Sequence, residues 1–140
     1  LYTFAKRTTP FAAFTVFDAP TGEVCTARRG RSNTPLQALT TLNDPMFLEM
    51  ARHKGIALSS ARGDDPARVR DLFLALVGRR PTDQEQGALE DYFDDQLGRL
   101  NSGELSTTEI MQSDEATAEQ AAWTLLTRVV MNLDETITKG

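Results

Sequence analysis

The sequence predicts an all-α fold, a small irregular bundle of about four to five helices. Apolar residues recur at spacings of three and four along several segments, as they do on the buried face of a helix. Cap residues and prolines stand in front of those segments. No stretch longer than four residues alternates apolar and polar side chains between turn signals, which argues against a substantial sheet. With 140 residues, of which 40% are apolar and 25% charged, the chain has the size and composition of one globular domain.

Residues 1–33 form a predicted irregular arm, rich in aromatic and basic side chains, and residues 34–140 form the helical domain. The arm holds five of the ten aromatic side chains but has no sustained helical or strand period, and Pro10 and Pro20 punctuate it as turns. Because aromatic side chains are costly to leave in water, we expect the arm to lie on an apolar surface. The chain opens at Leu1 within this aromatic run, so we expect it to be a C-terminal fragment of a longer protein.

The first two predicted helices each begin at a proline. Thr34 is an N-cap before Pro35, and Asp44 repeats the arrangement before Pro45, so the chain is expected to bend between the two helices. The second helix is expected to end near Ser60. Leucines form a short apolar stripe on the first helix: Leu36, Leu39 and Leu42. Apolar residues share one face of the second: Phe47, Met50, Ala51, Ala57, Leu58 and Ala61.

The third predicted helix has the clearest period. It begins at Asp65 and Pro66, and Gly78 is its C-terminal cap. Its apolar residues follow helical spacing: Val69, Leu72, Phe73, Leu76 and Val77.

The fourth predicted helix begins at a capping box of Thr82 and Glu85 and is acidic outside its apolar stripe. That stripe consists of Leu89, Tyr92, Phe93 and Leu100. Residues 101–113 are expected to form a connecting loop, and residues 115–133 a last helix. The inward residues of the last helix are expected to be Ala118, Ala122, Leu125, Leu126, Val129 and Leu133. Short connections between helices favour antiparallel neighbours.

The net charge of −5 conceals an uneven distribution of charged side chains. Residues 1–80 carry 12 basic and 7 acidic side chains, whereas residues 81–140 carry 3 basic and 13 acidic ones. We expect the two halves to attract each other within one fold. An acidic chain offers no broad surface for tracking phosphates, so no nucleic-acid partner is predicted.

Cys25 and His53 are the single cysteine and the single histidine, so the sequence holds no internal disulfide and no Cys/His zinc cluster. No metal site is predicted. No apolar run approaches the length of a membrane span, so none is predicted. No catalytic residue is predicted either, because no nucleophile has a visible partner base.

The stretch from residue 17 to residue 45 contains the candidate ligand-binding residues. Guanidinium groups offer a planar fork of donors to phosphate, sulfate or carboxylate, and amide side chains near a helix start could converge on the same ligand. The same residues could instead pair with acidic side chains or cap helices, and the sequence leaves both interpretations open. The candidates are Asp18, Arg28, Arg29, Arg31, Asn33, Gln37 and Asn43.

Four segments carry a resemblance to a known family. The run FDAPTGEVCTARRGRSNTPLQALTTLNDP resembles the C-terminal part of the planctomycete-type PSD family, a domain of unknown function designated 1553. The segments LYTFAKRTTP, LFLALVGRRPTDQE and AWTLLTRVVMNLDE are similar to that family in the same order.

The resemblance implies a large exported bacterial protein, located in the periplasm or cell envelope or secreted. In such proteins this domain follows another domain of unknown function and sometimes a cytochrome c-like module. The family brings no established catalytic residue. This chain contains no C-x-x-C-H motif, so it is expected to bind no cofactor, and any haem would lie in an upstream domain.

Three functions follow as hypotheses. The first is a non-catalytic helical module that packs on an upstream domain of the same polypeptide and assists polysaccharide binding. The second is part of an enzyme site that acts on sulfated or acidic glycans. The third is the scaffold of a cytochrome c-linked electron-transfer protein.

Overall fold

The structure is a computed structural model that describes residues 16–19 and 34–138. This part of the chain contains seven helices and no strand. The helices are α1 (Pro35–Asn43), α2 (Pro45–Ser59), α3 (Asp65–Val77), α4 (Asp83–Asn101), α5 (Thr107–Met111), α6 (Ala118–Met131) and α7 (Asp134–Ile137). Five of them are at least nine residues long, and α5 and α7 are short. The predicted all-α bundle is confirmed. Apart from residues 16–19, the predicted arm lies outside the described residues, so the domain division stays a prediction.

Helix α6 lies at the centre of the bundle and contacts each of the other six helices. The indole ring of Trp123, in the middle of α6, is fully buried and packs against the Phe93 ring of α4 with 4.3 Å between the ring centroids. Other buried side chains of α6 are Ala121, Ala122, Thr124, Leu126, Thr127, Val130 and Met131. A helix buried on nearly all sides organises the core around itself.

The predicted helix boundaries are largely confirmed because they rest on local hydrogen bonds. Thr34 and Thr82 each form a capping box, and Asp44 caps α2. Gly78 ends α3 in the left-handed conformation, with φ of 91°. The last long helix begins at residue 118 instead of 115, because Thr117 forms a further capping box that the sequence analysis did not identify.

The predicted connecting loop was wrong, and the predicted leucine stripe of α1 lies on a largely exposed face. Residues 101–113 are not a plain loop, because they contain α5, whose Met111 side chain is buried against Thr124 of α6. The leucine stripe of α1 does not face the core: Leu36 and Leu39 are each 57% exposed. The buried face of α1 is polar, and Thr41 donates a hydrogen bond to Oδ1 of Asn132 at the end of α6 (2.7 Å).

The predicted attraction between the basic and acidic halves is confirmed by ion pairs that join them. Arg68 of α3 lies 3.2 Å from Glu119 of α6. Arg79, which follows α3, pairs with Glu85 of α4 (2.7 Å) and with Glu135 of α7 (2.8 Å). The uneven charge distribution therefore serves to connect elements within the fold.

Arg79 is the most connected of these charges. Its Nη1 and Nη2 atoms donate to the two carboxylate oxygens of Glu85 at 2.9 and 2.7 Å, and its guanidinium lies 5.0 Å from the centre of the Phe73 ring. The Glu85 carboxylate also accepts hydrogen bonds from the backbone and hydroxyl of Thr82. The Arg79 guanidinium, with those Thr82 bonds, lowers the pKa of Glu85 from 4.5 to about 2.

This low pKa makes part of the stability depend on pH. A carboxylate with a depressed folded-state pKa stabilises the fold above its unfolded pKa, and that contribution is lost as pH falls from 4.5 towards about 2. We expect Glu85→Gln to lower the melting temperature at pH 7 and the deficit to shrink over that acid range. Thermal unfolding from pH 7 to pH 2 measures this difference in melting temperature. The control is Glu104→Gln, which removes the charge from the exposed pair with Arg99. A deficit that is constant with pH would contradict the prediction.

Helices α2 and α6 approach each other closely at Gly55. A Cβ atom at this position would collide with Oγ1 of Thr124 and would lie 2.8 Å from the Thr124 backbone nitrogen and 2.9 Å from the Gln120 carbonyl oxygen. Backbone atoms of a central helix cannot move aside as a flexible side chain can. The contact between the two helices therefore requires glycine here.

We expect Gly55→Ala to destabilise the protein by about 1–3 kcal/mol, the usual cost of overpacking a filled core. Gly98→Ala in α4 is the matched control, since nothing lies within 4 Å of the added Cβ. That change should stabilise the helix by about 0.5–1 kcal/mol through alanine's higher helix propensity. Urea denaturation measures both free energies of unfolding. A Gly55→Ala variant as stable as the parent would show that α2 and α6 can separate without loss.

Candidate functional site

Gln37, near the start of α1, fixes residues 16–19 to the helical bundle. Its side chain is almost fully buried, with 2% of the residue exposed. The Oε1 atom accepts a hydrogen bond from the Thr34 backbone (3.0 Å), and Nε2 donates to the Val16 carbonyl (2.9 Å) and to Oδ2 of Asp18 (3.3 Å). We call residues 16–19 with Gln37 the clamp. One side chain thus completes a helix cap and holds a segment distant in sequence.

The structure brings together two of the predicted ligand-binding residues, Asp18 and Gln37, and both take part in the clamp. Asp18 has a φ of 54°, a left-handed conformation that aspartate tolerates better than most residues. Asn43 lies at the other end of α1, exposed, and donates to the Leu39 carbonyl of its own helix (2.9 Å). The remaining candidates lie outside the described residues, so binding of an anionic ligand stays a prediction: Arg28, Arg29, Arg31 and Asn33.

An apolar groove runs along α2 between α3 and the C-terminal half of α6. Its volume is about 490 Å³. Apolar side chains from three helices dominate its lining: Met46, Met50 and Ala57 of α2, Leu76 of α3 and Met131 of α6, with Thr127 beside them. Methionine is flexible and polarisable, so a surface built on it can adapt to differently shaped partners.

The groove continues past Met50, Leu76 and Met131 into a second part of about 360 Å³. The end of this second part is formed by residues from the clamp, α1, α2, α3 and α7: Phe17, Thr41, Phe47, Ala75, Thr136 and Ile137. Phe17 of the clamp packs on Phe47 with 5.8 Å between ring centroids. The clamp therefore contributes one wall of the groove.

Polar and charged side chains also line the groove. His53 Nε2 lies 3.7 Å from Oε1 of Glu49, and the two side chains are 78% and 72% exposed. Lys54 lies beside them. Exposed polar groups thus lie beside the apolar lining, an arrangement that is common at sites of protein association.

Among residues 16–19 and 34–138, no three histidine, cysteine, aspartate or glutamate side chains are grouped so that they could hold a metal ion. No helix in this part of the chain combines the length and apolar character needed to cross a membrane.

The groove was not predicted from the sequence, because Met50 and Ala57 were assigned to one apolar face of α2 together with Ala51 and Leu58. The buried positions of α2 are Ala51, Gly55 and Leu58, whereas Met50 is 51% exposed. Met46 and Met50, four residues apart, do share a helix face, and that spacing was the available signal. It could not show whether the face meets the core or solvent.

The described residues form an all-α domain with an exposed apolar groove on its surface. Comparison with known families gives a match to PSD1, described as a protein of unknown function (DUF1553), over residues 1–93. The chain therefore belongs to the DUF1553 family. Three of the four segments that carry the resemblance lie within this match, and AWTLLTRVVMNLDE lies beyond it. No curated protein and no solved structure matches the chain.

The role of Gln37 in the clamp can be separated from its role as a helix cap. Gln120 completes the same capping box at the start of α6, where its Oε1 accepts from the Thr117 backbone (3.0 Å). We expect Gln37→Ala to cost about 1–2 kcal/mol more than Gln120→Ala, because it also removes the hydrogen bonds to Val16 and Asp18. Urea denaturation of both variants measures the difference. Equal losses would mean that the clamp contributes nothing to stability.

Proposed function

We propose that this chain is a non-catalytic helical module that packs, through its apolar groove, against an upstream domain of a larger DUF1553 polypeptide. The observation that carries the proposal is the continuity of the groove. Met50, Leu76 and Met131 line both of its parts, so the two parts adjoin at these three side chains.

Burial of this surface would be favourable. Met46 and Met50 lie in the first two turns of α2 and are 47% and 51% exposed, so about half of each residue's surface is in contact with water. Removing apolar surface from water yields about 25 cal/mol per Å². A partner that covers the methionines gains this energy, which supports a packing role for the groove.

The ionisable groups with the largest pKa shifts support a structural role for the module. Perturbed pKa values often mark catalytic sites. The pKa shifts of Arg79 and Glu85 arise instead from ion pairs that join the end of α3 to α4 and α7. Arg99 pairs with Glu104 at the end of α4, where it supports the turn that follows. The pKa of Tyr92 is raised mainly by burial of its side chain, which is also a structural cause.

The other elements of this proposal rest on the family resemblance alone. They are export to the periplasm or cell envelope, assistance in polysaccharide binding, and the presence of an upstream haem domain. The alternative of a glycan-processing site depends on arginines that lie outside the described residues. No contact in the described part of the chain favours either alternative over packing, and all of these stay predictions.

The packing role can be tested by hydroxyl-radical footprinting of this chain and of the polypeptide that includes the upstream domain. We expect Met46 and Met50 to be modified readily in the isolated chain and to be protected several-fold in the longer polypeptide. Ile56 and Leu74 are matched controls, because they are 42% and 43% exposed and do not line the groove. Their modification should not change.

Equal modification of the two methionines in both forms would contradict the proposal. Uniform protection of all four side chains would indicate general burial and would also count against a specific groove contact. Met50→Gln supplies an independent check, since it should weaken the contact in the longer polypeptide while Ile56→Gln leaves it intact.

A further inference from the structure

We propose that α7 is a latch on the groove: it covers the second part of the groove and is held in place by the ion pair between Glu135 and Arg79. This inference rests on the proposed function, because it states what controls access to the same groove. Thr136 and Ile137 of α7 line the second part of the groove, together with Phe17 and Phe47. Displacing α7 would therefore widen the groove at this end.

Helix α7 is weakly built. It has four residues, none of them is buried, and its N-cap residue Leu133 makes no side-chain hydrogen bond to the helix. Single helical turns are unstable unless tertiary contacts hold them, and elements of low local stability open most easily. The position of α7 must therefore depend on the few contacts it makes with its neighbours.

Those contacts identify Glu135 as the holding point. The Thr136 hydroxyl donates to the Val130 carbonyl of the adjoining α6 (2.7 Å), and the Thr138 hydroxyl donates to Asp134 of α7 itself (2.7 Å). Glu135 reaches further, since its Oε2 accepts from Nε of Arg79 at 2.9 Å. Within residues 34–138, this is the side-chain polar link that ties α7 to an element other than α6.

Arg79 has contacts that do not involve α7. Two hydrogen bonds to Glu85 and the contact with the Phe73 ring fix the guanidinium from the side of α3 and α4. Replacing Glu135 with glutamine therefore removes the charge that pairs with Arg79 in the latch and leaves the Arg79–Glu85 pair intact. This separation makes the latch testable by a single substitution.

The ion pair is suited to a latch because it is solvent-exposed: the side chains of Arg79 and Glu135 are 41% and 57% exposed. Exposed pairs are individually weak, so a competing charge on a partner could displace Glu135 from Arg79 and raise the fraction of molecules in which α7 is released. When only the open form accepts a ligand, the apparent affinity falls in proportion to the open fraction. Weakening the latch should therefore strengthen binding in the groove.

The test compares the wild type with Glu135→Gln and uses Nile red, a neutral apolar dye, as the probe. Glu104→Gln is the matched control, because it removes the same charge from an exposed pair with Arg99 (2.8 Å) that does not involve α7. We expect Glu135→Gln to speed hydrogen exchange at the amides of Thr136, Ile137 and Thr138 and to lower the dye's dissociation constant, both by about two- to fivefold, the range expected for one exposed ion pair. The control should change neither quantity.

Met50→Gln shows whether the dye occupies the groove. Faster exchange together with a gain in affinity that Met50→Gln abolishes would support the latch. Unchanged exchange, or faster exchange with unchanged affinity, would overturn the latch and leave the groove as a packing surface. Dye binding that is insensitive to Met50→Gln in both backgrounds would instead overturn the groove, and with it the proposed function.

Discussion

The close approach of α2 to α6 at Gly55 is the constraint on which the remaining structure depends. Glycine allows the two helices to meet almost backbone to backbone. Ala51, one turn before this contact, and Leu58, about one turn after it, are both buried in the core. The same approach turns Met46 and Met50 away from the core, towards α3 and the end of α6. The apolar groove is thus a consequence of how tightly the centre of the bundle is packed.

Polar contacts position the elements that surround this centre. Helix α1 is joined to the end of α6 by Thr41 and by Nη2 of Arg128, which donates to the Leu42 carbonyl (3.1 Å). Arg79 joins the turn after α3 to α4 and α7. Such contacts are directional, so they fix where a peripheral helix lies without covering the apolar surface between them. The groove lies where apolar side chains reach the surface between these polar contacts.

The family match and the folding unit have different limits. The match ends at residue 93, within α4, whereas the most buried helix of the described structure is α6, Ala118–Met131. Without α6, the buried faces of α2, α3 and α4 would be exposed to water, and the groove would lose Met131. The unit that folds in this chain therefore includes residues beyond the matched region, and the groove combines residues from both.

The sequence alone determined the five long helices, because helix starts and ends depend on residues within a few positions of each other: Thr34, Thr82 and Gly78 act locally and were predictable. The short helices α5 and α7 were not predicted. The sequence also predicted that the basic and acidic halves attract. Only the tertiary structure decided which faces are buried. The leucines of α1 point outwards because Gln37 and Thr41 find hydrogen-bonding partners from distant segments, and Met50 is exposed because α6 meets α2 at Gly55 instead. Contacts between residues far apart in the chain leave no periodic signal in either partner, so neither the clamp nor the groove could be predicted from the sequence.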